Sequence, residues 1–494
     1  MQKAHGAFLP VISVDRSSAK PLHRQIYEAY RTNILGRNLL PGQQVPSTRT
    51  LASELRMSRI PVLSAYMQLI AEGYLESRAG AGTFVSSCLP EQPPPTDANG
   101  GCETMLHPRS ISQRSEHIPC KAQAPWMLGS GAFSVGQLAF DHFPLQIWSN
   151  LVAAHARKVR ASSLNYADSM GAREFRETIA SYLRTARAVH CDARQIMIVS
   201  GSQQALDIAI RVLLDPGSRV WIEDPGYELM RHALLLGNCQ PVPVPVDCEG
   251  LDVAAGIESC PAAAAAYVTP SHQYPLGVTM SASRRLQLLD WARSAGAWIL
   301  EDDYDSEYRY ESPPIASLQG LDRGTRVIYI GTFSKTLFPS LRMGYLVIPP
   351  DLVDRFMAVR RTVDLCPPHL NQMVLNEFIS EGHFARHIRK TRLIYGERRT
   401  ALVDALRAEF GSELQISGCE AGMHLAVMLP PDVLDHEISM RAAQQGFWLW
   451  PLSKAYIGRK VRQGFILGFG GTAAADMPDA VRRLRQVMAE RHYA

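Results

Sequence analysis

The chain has 494 residues, a formal net charge of +4, 46% hydrophobic and 20% charged residues. That length predicts more than one domain, and no apolar run approaches the ~20 residues of a membrane span. The amino terminus has no signal-peptide pattern, and nine cysteines without a CxxC pair read as reduced thiols of a cytoplasmic protein with no metal site.

The charge is unevenly placed. Residues 1–90 hold ten Lys and Arg against five Asp and Glu, a net of +5, while the remainder is near neutral at −1. A basic module on a neutral body predicts a nucleic-acid partner, with a basic surface that has no partner as the alternative. In "PLHRQIYEAYRTNILGR", Leu22, Ile26, Tyr30 and Ile34 recur every four residues and predict an amphipathic helix. "STRTLASEL" opens on Ser47 as N-cap. "MSR" makes a turn, and "IPVLSAYMQLIAEG" puts Val62, Tyr66, Leu69 and Ile70 on one face of a further helix. "YLESRAGAGTFV" predicts a hairpin whose Gly-Ala-Gly tip can approach a backbone closely.

These elements resemble the winged helix-turn-helix of the GntR group of bacterial regulators. The pattern Pro-Ser-x-Arg, Ser-Arg, Ala-Tyr-x-x-Leu, Glu-Gly-Tyr-Leu and Gly-x-Gly is present. The resemblance implies that Arg49, beside Ser47, contacts phosphate or base. It implies that Arg59 enters the major groove at the start of the recognition helix. Ser58 and the wing from Gly80 to Gly82 would touch backbone or minor groove. The sequence departs at Ile60 and Pro61, where the family carries polar or hydroxyl residues, which shifts base contacts to Arg59 and Ser64.

Residues 88–125 are rich in Pro, Gly and Ser, lack apolar periodicity and read as a linker. The expected division is a DNA-binding domain over 1–87, this linker, and a larger domain over 126–494.

In the larger part, "IMIVSGSQQALDIAIRVLLDPG" reads as a strand, a small-residue turn and a helix with Ala205, Ile208, Ala209 and Val212 on one face. Free N–H groups at such a turn suit an anion, with Ser202 and Gln203 as contacts. "GAWILEDDYDSEYRY" reads as a buried strand followed by Glu301, Asp302, Asp303 and Tyr304, acids where α/β sheets bind ligands. "IGTFSKTLFPSLRMGYLVIP" sets Lys335 between two short apolar runs. A buried lysine loses hydration, its pKa falls, and its amine attacks carbonyls. Thr332 and Ser334 add hydroxyls, and Arg342 a charge.

From about Trp126 onward the chain resembles the fold-type I, aspartate aminotransferase-like enzymes, α/β proteins with a mostly parallel central sheet. The resemblance implies pyridoxal 5'-phosphate joined to Lys335 as a Schiff base. Asp302 would pair with the pyridine nitrogen and Tyr304 with the phenolic oxygen. Ser202, Gln203, Thr332, Ser334 and Arg342 would hold the phosphate, and Tyr227 would lie at the ring. Tyr166 matches the tyrosine that reaches the neighbouring subunit's phosphate, which implies a homodimer. Two departures stand out. Tyr274 precedes the proline of "SHQYPLG", where aminotransferases carry asparagine. Ile466 replaces the arginine that binds the substrate carboxylate, and Arg462 is either its substitute or a surface residue.

Reader, linker and body together resemble the MocR family of pyridoxal-phosphate-dependent regulators. The implied function is DNA-binding regulation through a domain that senses the cofactor, an amino compound, or both. The alternative is a working aminotransferase with an appended DNA-binding domain.

Overall fold

The computed structural model describes residues 12–87, 89, 110–119, 124–310, 315–323 and 325–489. The chain divides into two compact units, 1–109 and 110–494. The expected linker falls mostly outside the described residues. Within it, Gln113–Glu116 forms one helical turn near the helix Glu228–Leu236.

The N-terminal unit holds α1 (Leu22–Leu35), α2 (Thr48–Glu54) and α3 (Arg59–Ala71). A small antiparallel sheet joins them, formed by β1 (Gln44–Val45), β2 (Leu75–Arg78) and β3 (Gly82–Val85) in the order β1-β3-β2. Ile26, Tyr30 and Ile34 of α1 are buried, with Tyr27 beside them and Leu22 at the rim. They pack on Val62, Ala65, Tyr66 and Leu69 of α3. Ile70 was expected on that inner face and instead is 38% exposed. It follows Leu69 by one residue, a rotation of ~100°, which carries it away from the core stripe. The buried Tyr66 Oη lies 2.9 Å from both Tyr30 Oη and the Pro46 carbonyl oxygen, so the polar end of the ring is satisfied where it is buried.

The C-terminal unit is built on an eight-stranded sheet: β4 (Ile196–Val199), β5 (Arg219–Asp224), β6 (Gln240–Asp247), β7 (Gly250–Leu251), β8 (Ala265–Val268), β9 (Trp298–Asp303), β10 (Val327–Thr332) and β11 (Gly344–Val347). Its order is β4-β11-β10-β9-β8-β5-β6-β7. The pairs β10–β9, β9–β8, β8–β5 and β5–β6 are parallel, whereas β11 runs antiparallel to both neighbours. Helices cover both faces, so β4, β8, β10 and β11 are buried along their whole length and read as unbroken apolar runs. A second, antiparallel sheet of β12 (Gln415–Ser417), β13 (His424–Met428), β14 (Trp450–Pro451) and β15 (Gly464–Gly468) has the order β12-β13-β15-β14. The helix His383–Phe410 precedes it. Among the described residues no helix is long and apolar enough to cross a membrane.

Gly331 sits inside β10 opposite Tyr345 of β11. A Cβ there would stand 2.2 Å from the Tyr345 ring. Gly331→Ala should therefore destabilise the fold by about 1–3 kcal/mol through overpacking, read as a lower midpoint in urea or thermal unfolding. An unchanged midpoint would show that Tyr345 swings away freely.

Candidate functional site

The parallel strands β8, β9 and β10 bring the sequence-selected residues to one end of the sheet. The expectation that Glu301, Asp302 and Asp303 follow their strand is corrected. β9 runs through all three, and all three are buried. Strand alternation sends neighbours to opposite faces, and their partners differ accordingly. Glu301 accepts the backbone N–H groups of Leu318 and Gln319 at 2.8 and 2.9 Å. Asp303 is bound by Arg187 at 2.7 Å and by the Tyr329 hydroxyl. Asp302 accepts only the Tyr267 hydroxyl, at 2.9 Å through Oδ2, and its buried Oδ1 has no partner among the described residues. Burial, with Asp303 and Asp305 nearby, pushes the Asp302 carboxyl up to about 7.

Lys335 lies in the connection just beyond β10 and is half-buried. Burial pushes its ammonium below the ordinary range, against the pull of Asp305 and Asp302. A Cβ on Gly136 would stand 2.8 Å from its Nζ, so the backbone of the segment after Phe133 closes over the amine. Thr332 Oγ1 lies 3.1 Å from Ser334 Oγ and accepts from the Ser334 N–H. Gly201, at φ 109°, caps the helix Ser202–Leu213. A Cβ on Gly201 would meet Arg342 Nη2 at 3.1 Å. The exposed Arg342 guanidinium thus stands at the N-terminus of the helix that Ser202 and Gln203 begin. Gln203 donates to the Leu229 carbonyl, while its buried Oε1 has no partner among the described residues. Tyr227 is half-buried and stacks edge-on against Tyr274, with ring centroids 6.0 Å apart. Burial and Asp302 push its hydroxyl pKa upward.

Two expected residues stand apart. Tyr166 is 80% exposed. Arg462 is exposed before β15 and donates to Gln415 Oε1 at 3.3 Å, while Ile466 is buried in β15 between Ala426 and Trp450.

Sequence reasoning missed a buried cluster. His272 Nδ1 lies 3.0 Å from Asp305 Oδ2, and the His272 and His424 rings are 4.6 Å apart. Tyr304 donates to the His272 carbonyl at 2.8 Å. His272 Nε2, His424 Nε2 and Asp305 Oδ1 have no hydrogen-bond partner among the described residues. Burial, with His272 and Lys335 close by, holds His424 well below its ordinary pKa. His272 and Asp305 were within quoted motifs, but His424 comes from the second sheet, and no local signal links it to them.

In the N-terminal unit, Ser47 Oγ accepts the Thr50 N–H at 3.1 Å and caps α2. Arg49 is exposed on α2. Ser58 and Ser64 are exposed at the start and in the second turn of α3. Arg59 is exposed and reaches Thr48 Oγ1 at 3.0 Å. Gly80 and Gly82, at φ 75° and 113°, form the wing tip. Nothing lies within 4 Å of a Cβ on Gly80, while one on Gly82 would meet Gln44.

Residues 132–462 match the family "Aminotransferase class I and II", and residues 22–85 match "Bacterial regulatory proteins, gntR family". The chain is 38% identical over 476 residues to a probable rhizopine catabolism regulatory protein MocR of Rhizobium meliloti, covering 96% of this chain and 95% of that one. It is 31% identical over 489 residues to the HTH-type transcriptional regulator TauR of Rhodobacter capsulatus, covering 94% and 96%. The Pyrococcus horikoshii kynurenine aminotransferase, solved in complex with PMP, superposes with a TM-score of 0.70 at 28% identity. That match covers 78% of this chain and 98% of the aminotransferase. The chain therefore belongs to the MocR-type transcriptional regulators, in which a GntR helix-turn-helix precedes an aminotransferase class I and II domain.

Proposed function

We propose that this regulator binds pyridoxal 5'-phosphate on Lys335 and reports the state of that site to its DNA readers. The observation that carries the reading is the pairing of a desolvated Lys335 amine with a buried Asp302 whose Oδ1 lacks a donor. The residues fit the cofactor. Asp302 Oδ1 suits a pyridine N–H. Ser202, Gln203, Thr332, Ser334 and Arg342 offer a helix N-terminus, hydroxyls and a guanidinium to a phosphate. Tyr227 and Tyr304 flank the ring, and Tyr166, with its side chain exposed, serves the neighbouring subunit in a homodimer. Bound there, pyridoxal phosphate supplies a carbonyl that condenses with amines and an electron-withdrawing ring. The effector is a small amino compound, the cofactor itself, or both in turn. It acts as a switch by binding two arrangements of the protein with unequal affinity. Such a protein works in the cytoplasm, where DNA and cofactor meet. Retention of both Lys335 and Asp302 also favours a second reading, residual transamination.

A visible absorbance titration separates these. With pyridoxal phosphate, the wild type should develop the band of a lysine-bound cofactor, and Lys335→Ala should not. A borohydride-reducible link in Lys335→Ala would place the anchor on another lysine. An amine that shifts the band and holds it identifies an effector. Bleaching that a keto acid reverses identifies turnover.

The Asp302 carboxyl has a folded value of about 7 against an ordinary 3.8. The folded state therefore holds the proton more tightly. Stability from this group is full below about pH 4 and is lost as pH rises towards 7. Glu223 and Glu301, both pushed to about 7 by burial, act in the same direction. The ligand-free protein should melt lower at pH 8 than at pH 5, and Asp302→Asn should remove part of that fall. Saturating pyridoxal phosphate should raise the pH 8 midpoint of the wild type more than that of Asp302→Asn. A variant that melts below wild type at pH 8 without ligand would overturn this account.

Binding to DNA from upstream of its own coding sequence should weaken steeply with salt. Arg49→Ala should reduce the slope by about one ion. Arg59→Ala should cost about tenfold or more in affinity at moderate salt. Unchanged binding by Arg59→Ala would remove that residue from the interface.

A further inference from the structure

The outward face of α3 is apolar. Ile60 is 73% exposed, Leu63 41%, Met67 62% and Ile70 38%. Their spacings of three and four align them along one side of the helix. Val62, Ala65, Tyr66 and Leu69 on the opposite side fill the core. Ser64 is the polar residue beside the stripe, and Arg59 at its N-terminal end turns to Thr48.

A solvent-facing row of large aliphatic side chains marks an interaction surface. What it meets follows from its setting. α3 is the second helix of a helix-turn-helix, the element that enters the major groove in this motif. The stripe is bordered in sequence by exposed Arg49 on α2, Arg56 in the turn, Arg59 on α3 and Arg78 on the wing. Residues 1–90 carry a net charge of +5 against +4 for the whole chain. An apolar protein partner would not call for that charge, whereas a polyanion with apolar groups on its groove floor would. The apolar group on base edges in the major groove is the C5 methyl of thymine.

We propose that Ile60 and Leu63, with Met67 behind them, read thymine methyl groups. The half-sites of this regulator then carry thymines opposite the first two turns of α3. Ile60 and Pro61, where the resembling family carries polar or hydroxyl residues, then exchange hydrogen-bond readout for methyl readout. Phosphate contacts by the surrounding arginines position the helix, and the aliphatic stripe selects the sequence. The inference rests on the DNA-reading role of this unit and adds the base it selects.

The test uses the full-length protein and duplexes selected from a random-sequence library. The preferred duplex is remade with deoxyuridine replacing thymidine at one position at a time. This removes the C5 methyl and leaves base pairing and charge intact. Deoxyuridine in the contacted part of a half-site should weaken binding by about fourfold per methyl, with the salt slope unchanged. Ile60→Ala, altering an exposed side chain, should bind the thymidine and deoxyuridine duplexes equally at the position Ile60 covers. Equal wild-type affinity for every deoxyuridine duplex, with salt-dependent selective binding intact, would overturn methyl readout and leave the DNA role standing. Should Ile60→Ala and Met67→Ala change only the oligomeric state in sedimentation, a second copy covers the stripe and the proposal also fails. Absence of any sequence-selective, salt-dependent binding would remove the DNA-reading role itself, and the inference with it.

Discussion

Three consecutive carboxylates buried at the end of β9 constrain the whole C-terminal unit. A carboxylate taken out of water must be paired, hydrogen-bonded or neutralised. Glu301 is met by two backbone N–H groups at the start of the helix Leu318–Leu321. Asp303 is met by Arg187, which arrives from the end of the helix Arg173–Arg187. Both helices are thereby fastened to the central strand. Asp302, between them and facing the other way, receives one hydroxyl and keeps an open oxygen beside a lysine. Glu301 has two backbone donors and Asp303 a guanidinium, whereas Asp302 has a single tyrosine hydroxyl. Perturbed groups left in a cleft have this character when they are functional.

The neighbourhood of that acid joins the two sheets. Tyr304 engages the His272 carbonyl, and His272 leans on Asp305 and on His424 from the second sheet. A Cβ on Gly422 would stand 2.0 Å from the His272 ring. The two sheets therefore meet through a histidine wedged against glycine backbone.

The N-terminal unit divides its labour differently. Its interior is held by apolar packing and one tyrosine pair, and its outer surface combines arginines with aliphatic side chains. Charge gives affinity and salt sensitivity without sequence preference. The arginines and the aliphatic side chains occupy separate places on the same small scaffold.

Much was legible in the sequence because it depends on short-range order. The strands around "IMIV", "AWIL", "VIYIGT" and "GYLV", the capping role of Ser47 and the hairpin at Gly80–Gly82 follow from local periodicity, capping and turn chemistry. Lys335 and Asp302 could be selected because each lies next to a short apolar run that marks a strand end. The tertiary structure decided the rest. It determined which of three adjacent acids meets a guanidinium and which meets only a tyrosine hydroxyl, since that depends on partners 116 residues away, as for Arg187 and Asp303. It brought His424 to His272, and it turned Ile70 and the rest of the apolar row on α3 outward. Local sequence specifies what each segment can form, but burial and pairing are properties of the assembled chain, because they depend on which distant groups arrive at the same place.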